Sequence, residues 1–222
     1  MTFPYDDLTD LIDRATRFAE DGAMVPARMR LAEARQLIDD GLRAAPERRP
    51  ARRVYLDCEF LPALTTTGGL ISIGLTDEQG YDWYAVNAEM DFDAVKANPF
   101  QCQHIVPLLP LDTAGALDES HPDVKPLSQI RDEVTAYFDI GIGTELYAYY
   151  GSDDLMRLHS LWNHDSGAMP GVVPRWLDDL KALSVRAGNP PMPPQTDGIH
   201  HALHDARHNR VMHEVLLALG QG

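Results

Sequence analysis

Cysteine is scarce: Cys58 and Cys102 are the only two in 222 residues, too few for a disulfide framework. Long apolar runs are missing as well. The longest stretch without a charged side chain, residues 60–76, is broken by threonines, glycines and a proline. It falls short of the roughly 20 apolar residues that cross a bilayer, so no transmembrane helix and no membrane partner are expected. The opening residues, MTFPYDD, have neither the basic end nor the apolar segment of a secretory signal, and a reducing cytoplasm is the expected compartment. Positive charge is short too, with 19 Lys and Arg against 34 Asp and Glu and a net charge of -15. Residues 1–53 hold ten arginines and ten acids, so the whole excess lies in residues 54–222, with nine basic and twenty-four acidic side chains. An acidic body argues against a broad duplex-binding surface and leaves room for metal sites and small or single-stranded anionic substrates.

What is present is ordinary for a globular protein: 44% hydrophobic and 24% charged residues, in a length that suits one domain with a modest appendage. Leu8, Leu11, Ile12, Ala15 and Phe18 recur at helical spacing and stop at Asp21-Gly22. A second helix begins near Pro26 and is expected to carry Leu31, Ala34, Ile38 and Leu42 on one face. These form a helical hairpin over residues 1–44. Residues 45–53, rich in proline and arginine, read as a linker, and residues 54–222 as the main domain. The arginines at 48, 49, 52 and 53 read as a solvated linker or as steering groups for a polyanion.

Three strand patterns follow at residues 53–60, 70–75 and 81–87, with short connections that favour antiparallel pairing. Residues 99–126 read as irregular, Ile130, Val134, Tyr137 and Phe138 mark a helix, residues 145–150 a strand, and a helix starts at Ser152. A shorter helix is expected over residues 176–183, then a proline-rich loop over 188–198 and a last helix from His200 or His201 to Leu219. Three antiparallel strands followed by alternating helices and parallel strands define an α/β, ribonuclease H-like fold, here behind an N-terminal helical hairpin.

The chemistry-bearing residues interrupt these patterns. In Val54-Tyr55-Leu56-Asp57-Cys58-Glu59-Phe60 two carboxylates stand two apart on an apolar strand, so Asp57 and Glu59 share one face. Like charges that close repel unless a cation lies between them, and hard oxygen ligands suit magnesium or manganese. The alternative is an edge strand with one wet face. Asp153 and Asp154 follow the strand at 145–150, where acids also complement a helix dipole; spacing alone does not choose between them. His200, His204 and His208 lie four apart, the pattern of a zinc site, but no cysteine pair completes one, and His204 and His208 suit a solvated helix face. His200 sits where the proline-rich loop meets the helix and can point away from it.

Asp57-x-Glu59, then Asp154 after a strand, then His200-x-x-x-x-Asp205, resemble the three motifs of the DEDDh 3′-to-5′ exonuclease superfamily in content and order. Within it the chain most resembles the RNase AS family of polyadenylate-specific exoribonucleases, through residues 57–60, 70–74, 84–86, 106–110 and 149–162. The likeness spans about residues 53–217 and leaves out the helical hairpin. Cys58 stands where a threonine is more usual, and Asp153 where an aromatic residue is common. The resemblance implies that Asp57, Glu59, Asp154 and Asp205 hold two Mg2+ or Mn2+ ions and that His200 is the general base. It implies a single-stranded RNA 3′ end as substrate, poly(A) among the candidates, and nucleoside 5′-monophosphates as products. Phe60, Tyr149, Tyr150 and Trp162 are candidate stacking platforms, with a core role open for Phe60 and Trp162. Arg207, like Arg210, suits either a substrate phosphate or a salt bridge. An oligoribonuclease-like enzyme, a DNA 3′-5′ exonuclease and a catalytically silent nucleotide-binding module are the rival readings. The hairpin is either a dimerisation or partner-docking element, the former making the chain a homodimer, or two helices packed on the body of the main domain.

Overall fold

The computed structural model describes residues 5–44, 51–64, 66–140 and 143–220, and the chain divides into two compact units, Met1–Pro50 and Ala51–Gly222. The first unit is the expected hairpin: α1 (Tyr5–Glu20) and α2 (Met24–Ala44), joined by a turn with Gly22 at φ 74°. Its buried residues are small, Ala15, Ala27 and Ala34. α2 thus buries Ala34 of the expected face together with Ala27 and leaves Leu31 and Ile38 of that face exposed, the small alanines letting the two backbones approach closely. Most of the linker, residues 45–50, lies outside the described residues. Its last two positions do not behave as linker: Arg52 and Arg53 open β1 (Arg52–Phe60), and Arg52 is buried, bonded to Asp77 at 2.8 Å and to the carbonyl of Tyr137.

In the second unit β1 pairs antiparallel with β2 (Leu70–Asp77), which pairs antiparallel with β3 (Trp83–Asn87). After α3 (Phe92–Ala97), the stretch 99–126 that was expected to be irregular is partly ordered: it holds α4 (Pro99–His104), a 3-10 turn at Val106–Leu108 and β4 (Val124–Lys125), parallel to β3. Asp91 and Asn98 cap the two short helices, and Pro99 opens α4, so the local signals were present in Asn-Pro and its surroundings. Then come α5 (Leu127–Phe138), β5 (Thr144–Ala148) and α6 (Ser152–Ser160). The helix expected at 176–183 is displaced: β6 (Asp178–Asp179) pairs with β5, and α7 (Leu180–Arg186) starts from the Asp179 cap. Finally α8 (Ala202–Ala218) closes the unit. The sheet order is β4-β3-β2-β1-β5-β6, a mixed α/β, ribonuclease H-like arrangement.

Strand alternation sorts the two faces. Val54, Leu56, Cys58, Ile73, Leu75 and Leu146 point into the main core beneath α5 and α6, with Ile130, Val134, Phe138, Leu158 and Trp162. The opposite face of β1 shows Tyr55, Asp57 and Glu59, and α8 packs across β1 and β2 there. Its inner stripe, Ala202, Ala206, Asn209, His213 and Leu216, is buried at helical spacing. Gly74, opposite Asp57 in the β1–β2 register, lies directly under the N-terminal turn of α8. A Cβ there would come within 2.4 Å of the Ala202 and Leu203 backbone, so only glycine lets the helix settle. Asn209 Nδ2 then donates to the Leu56 carbonyl at 3.0 Å and pins α8 to the central strand.

Candidate active site

The close approach of α8 to β1 and β2 creates a site at the C-terminal end of β1. The parallel pairing of β1 with β5 ends at Tyr55–Tyr147, so β1 runs on past its neighbour. The Cys58 amide donates to Asp154 Oδ1 at 2.8 Å, which brings the first turn of α6 onto the strand. This decides between the two adjacent aspartates: Asp154 is 5% exposed against β1, whereas Asp153 faces solvent. From the other side, Asp205 in the first turn of α8 accepts from the His200 amide at 3.0 Å through Oδ2 and from Gln195 Nε2 through Oδ1. The loop before α8 is thereby tied to the same carboxylate. His200 takes a left-handed backbone, φ 69°, that points its ring away from the helix; the ligand atoms of Glu59, His200 and Asp205 all lie within 4.8 Å of one another.

The electrostatics show how crowded the acids are. Asp57 is raised well above its ordinary pKa by burial first and then by Asp154, Glu59 and Asp205. Glu59 is pushed up to about 9 by burial, Asp205 and Asp154. Asp154 rises to about 7 through burial, against the opposing Cys58 N–H bond, with Asp153 and Asp179 adding to the rise. Four carboxylates drawn from β1, α6 and α8, with an imidazole beside them, form a donor set that fits hard divalent cations. Among the described residues Glu59, His200 and Asp205 bring their ligand atoms close enough to share one ion, and Asp154 lies near enough to raise the pKa of both Asp57 and Glu59.

The expected substrate residues separate into two groups. Tyr150 is 61% exposed in the turn after β5, edge-on to Tyr149, and is free to stack. Phe60 is half-buried: the fully buried Arg157 lies over its ring at 4.5 Å and also binds the carbonyls of Leu61 and Leu64. Trp162 is 7% exposed within the main core, which removes it from the surface. Arg207 points away along α8 and donates twice to Asp82 of the β2–β3 loop, at 2.7 and 3.2 Å, so it takes the salt-bridge role. His204 and His208 do not join the cluster. Sequence reasoning missed Phe100 and His104 of α4, whose rings lie 5.1 and 5.4 Å from that of His200. Gln101 Nε2 fixes α4 to the Phe60 carbonyl at 2.8 Å, and Phe100 is 49% exposed beside the site. Gln195 was missed because a side chain ten residues from its partner leaves no periodic signal. His201, next to the candidate base, stacks on Tyr84 at 4.4 Å and has its pKa lowered by burial and by His204.

A mixed sheet with a carboxylate cluster at the end of its central strand, and a histidine over it, has the chemistry of a phosphodiester hydrolase. No protein-family model matches the sequence. Two proteins named 3′-5′ exoribonuclease, from Mycobacterium tuberculosis strains CDC 1551 / Oshkosh and ATCC 25618 / H37Rv, are each 37% identical to it over 158 residues. The match covers 70% of this chain and 87% of each relative. The chain belongs to this 3′-5′ exoribonuclease family. No helix among the described residues is long and apolar enough to cross a membrane.

Proposed function

We propose that the chain is a DEDDh-type enzyme that hydrolyses single-stranded RNA from its 3′ end and releases nucleoside 5′-monophosphates. The observation that carries this reading is the meeting of Asp57, Glu59, Asp154 and Asp205 from three distant segments, with His200 within 4.8 Å of Glu59 and Asp205. Two Mg2+ or Mn2+ ions would be held by the four carboxylates. When bound, such ions lower the pKa of a nearby water and stabilise charge on the leaving 3′ oxygen.

The remaining work belongs to the chain. The His200 imidazole, with its ligand atom within 4.8 Å of those of Glu59 and Asp205, is placed to take the proton of the attacking water. Asp205 and Gln195 hold the His200 loop in place through the amide bond at 3.0 Å, so that one carboxylate both serves the cations and positions the base. Exposed Tyr150 and Phe100 offer aromatic faces for the bases at the 3′ end, where stacking contributes about 1–3 kcal/mol per base. Preference for adenylate rests on the resemblance to the RNase AS family. The excess of acids over residues 54–222 favours a substrate gripped at few phosphates, which also suits an oligoribonuclease-like preference for short RNA. Both cysteines are free thiols, and the exposed Cys102 suits a reducing cytoplasm.

The test is incubation with 5′-labelled oligo(A), oligo(U) and oligo(dA) in Mg2+, Mn2+ or EDTA. Shortening from the 3′ end, metal-dependent and fastest on oligo(A), is expected, with Asp57→Ala and His200→Ala slower by at least about 100-fold. Equal decay of all three oligomers would remove the adenylate preference. Absence of cleavage in both metals, or a variant that keeps more than a few percent of the rate, would overturn the catalytic assignment.

A further inference from the structure

The helical hairpin, residues 1–44, holds six of the chain's sixteen arginines. All ten cations of residues 1–53 are arginines, in a chain with only three lysines, Lys96, Lys125 and Lys181. They are not spread evenly. Residues 5–13 contain Asp6, Asp7, Asp10 and Asp13 with no cation, whereas residues 14–35, around the inter-helix turn, contain Arg14, Arg17, Arg28, Arg30 and Arg35 against Glu20, Asp21 and Glu33. Three of these arginines, two from α1 and one from α2, converge on a concavity of about 270 Å3, Arg14, Arg17 and Arg30, with Phe18 and the carboxylate of Asp21 completing the wall.

Their internal partners are weak. Arg14 pairs with Asp10 at 3.1 Å with both side chains half exposed, Arg30 pairs with Glu33 one turn along its own helix, and Arg17 Nε reaches only the Asp13 carbonyl at 3.4 Å. Exposed pairs of this kind are worth at most about 1 kcal/mol, so the guanidinium groups can be recruited by another anion. Arginine's planar fork matches phosphate oxygens two at a time. The rest of the molecule repels a polyanion: residues 54–222 carry twenty-four acids against nine cations.

We propose that the turn end of the hairpin is a binding surface for the phosphate backbone of RNA, through Arg14, Arg17 and Arg30, so that longer strands are held at a second point on the same chain. The inference rests on the exoribonuclease reading for its choice of polyanion. Joining two weak binding sites covalently raises affinity for a strand that can reach both and does nothing for one that cannot.

The experiment uses the full chain and its variant Arg14→Gln/Arg17→Gln/Arg30→Gln, with circular dichroism as the control for intact helices and Arg14→Lys/Arg17→Lys/Arg30→Lys as the charge-conserving variant. Fluorescence anisotropy of a labelled 20-nucleotide oligo(A) in EDTA reads binding without catalysis, and hydrolysis of the dinucleotide ApA in Mg2+ reads the active site alone. Because the glutamine variant neutralises three fewer phosphates, the log–log slope of affinity against salt is expected to shrink by about 2 and affinity near 100 mM salt to fall at least about 10-fold. The lysine variant keeps the slope, and ApA turnover is unchanged. Equal affinity and equal salt slope for the wild type and the glutamine variant would overturn the proposal. So would a change in light-scattering mass without any change in RNA binding, which would assign the arginines to an acidic protein surface. Failure of the wild type to hydrolyse ApA would instead count against the catalytic reading, since the anisotropy measurement does not depend on it.

Discussion

Replacing Glu59 with glutamine keeps the shape of the side chain and removes its charge, which isolates the electrostatic burden of the site. In the cation-free protein the Glu59 carboxyl is pushed up to about 9, through burial, Asp205 and Asp154, from an ordinary value of 4.5. At pH 7 the unfolded chain ionises this group and the folded chain keeps it protonated, a difference of about 3 kcal/mol against folding. Ionising it instead is no cheaper: two unit charges 4.8 Å apart, the limit for Glu59 and Asp205, repel by about 3.5 kcal/mol at an effective dielectric constant of about 20. Because the folded state binds more protons than the unfolded one between those two pKa values, this contribution destabilises the wild type as pH rises from about 4.5 towards 9. Glutamine is neutral in both states and removes that slope. In EDTA, Glu59→Gln is therefore expected to be more stable than the wild type by about 3 kcal/mol at pH 7 and by about 1 kcal/mol at pH 5.5. The larger figure corresponds to a rise in melting midpoint of about 6–12 °C for a chain of this size. Magnesium or manganese should reverse the order, stabilising the wild type more than the variant, because a cation is bound by the ionised carboxylate. A variant no more stable in EDTA, or more stable by the same amount at both pH values, would refute the reading of a crowded carboxylate cluster.

Three further outcomes follow from other parts of the fold. Gly74→Ala should destabilise by at least about 2 kcal/mol and slow oligo(A) cleavage together, because the new Cβ, 2.4 Å from the Ala202 and Leu203 backbone, lifts the helix that carries Asp205; wild-type melting and rate would show that α8 does not rest on β2. His213, fully buried with Nδ1 3.0 Å from the Tyr55 hydroxyl, has its pKa lowered to about 4 by burial and then by Arg53. The unfolded chain takes up this proton below about 6.5 and the folded chain does not, so stability falls as pH drops through that window, and His213→Gln should lose about 2 kcal/mol of the difference between pH 7 and pH 5 in urea titrations. Arg52→Met should cost about 3–5 kcal/mol by leaving the buried Asp77 carboxylate and Tyr137 carbonyl without their partner, measured by urea unfolding; a loss under about 1 kcal/mol would mean that water replaces the pair.

The pattern of the chain made much of this readable. The alternation in β1 separated Asp57 and Glu59 from Leu56 and Cys58, and that is how the faces divide. Helical spacing found α1 and α5, where apolar residues recur on one face, while α8 followed from its place after the proline-rich loop, its buried stripe including Asn209 and His213. Short elements were less legible. α3 and α4 are six residues each, too brief for a periodic signal, and stand on caps and on the Gln101 bond to β1. β6 is two residues whose strand character comes from pairing with β5.

By itself the sequence marked β1, β2, β3 and β5, the hairpin extension and the shared face of Asp57 and Glu59, because periodicity and side-chain alternation are properties of neighbours along the chain, whereas Asp154, His200 and Asp205 were singled out through the family resemblance. Only the tertiary structure decided that Asp154 rather than Asp153 faces β1, that Trp162 and Arg207 are taken up by the core and by Asp82, and that Phe100, His104 and Gln195 surround His200. Those are interactions between segments far apart in the chain. They exist because β1 outruns β5 and because Gly74 lets α8 lie against the sheet, two facts of packing that no local spacing encodes.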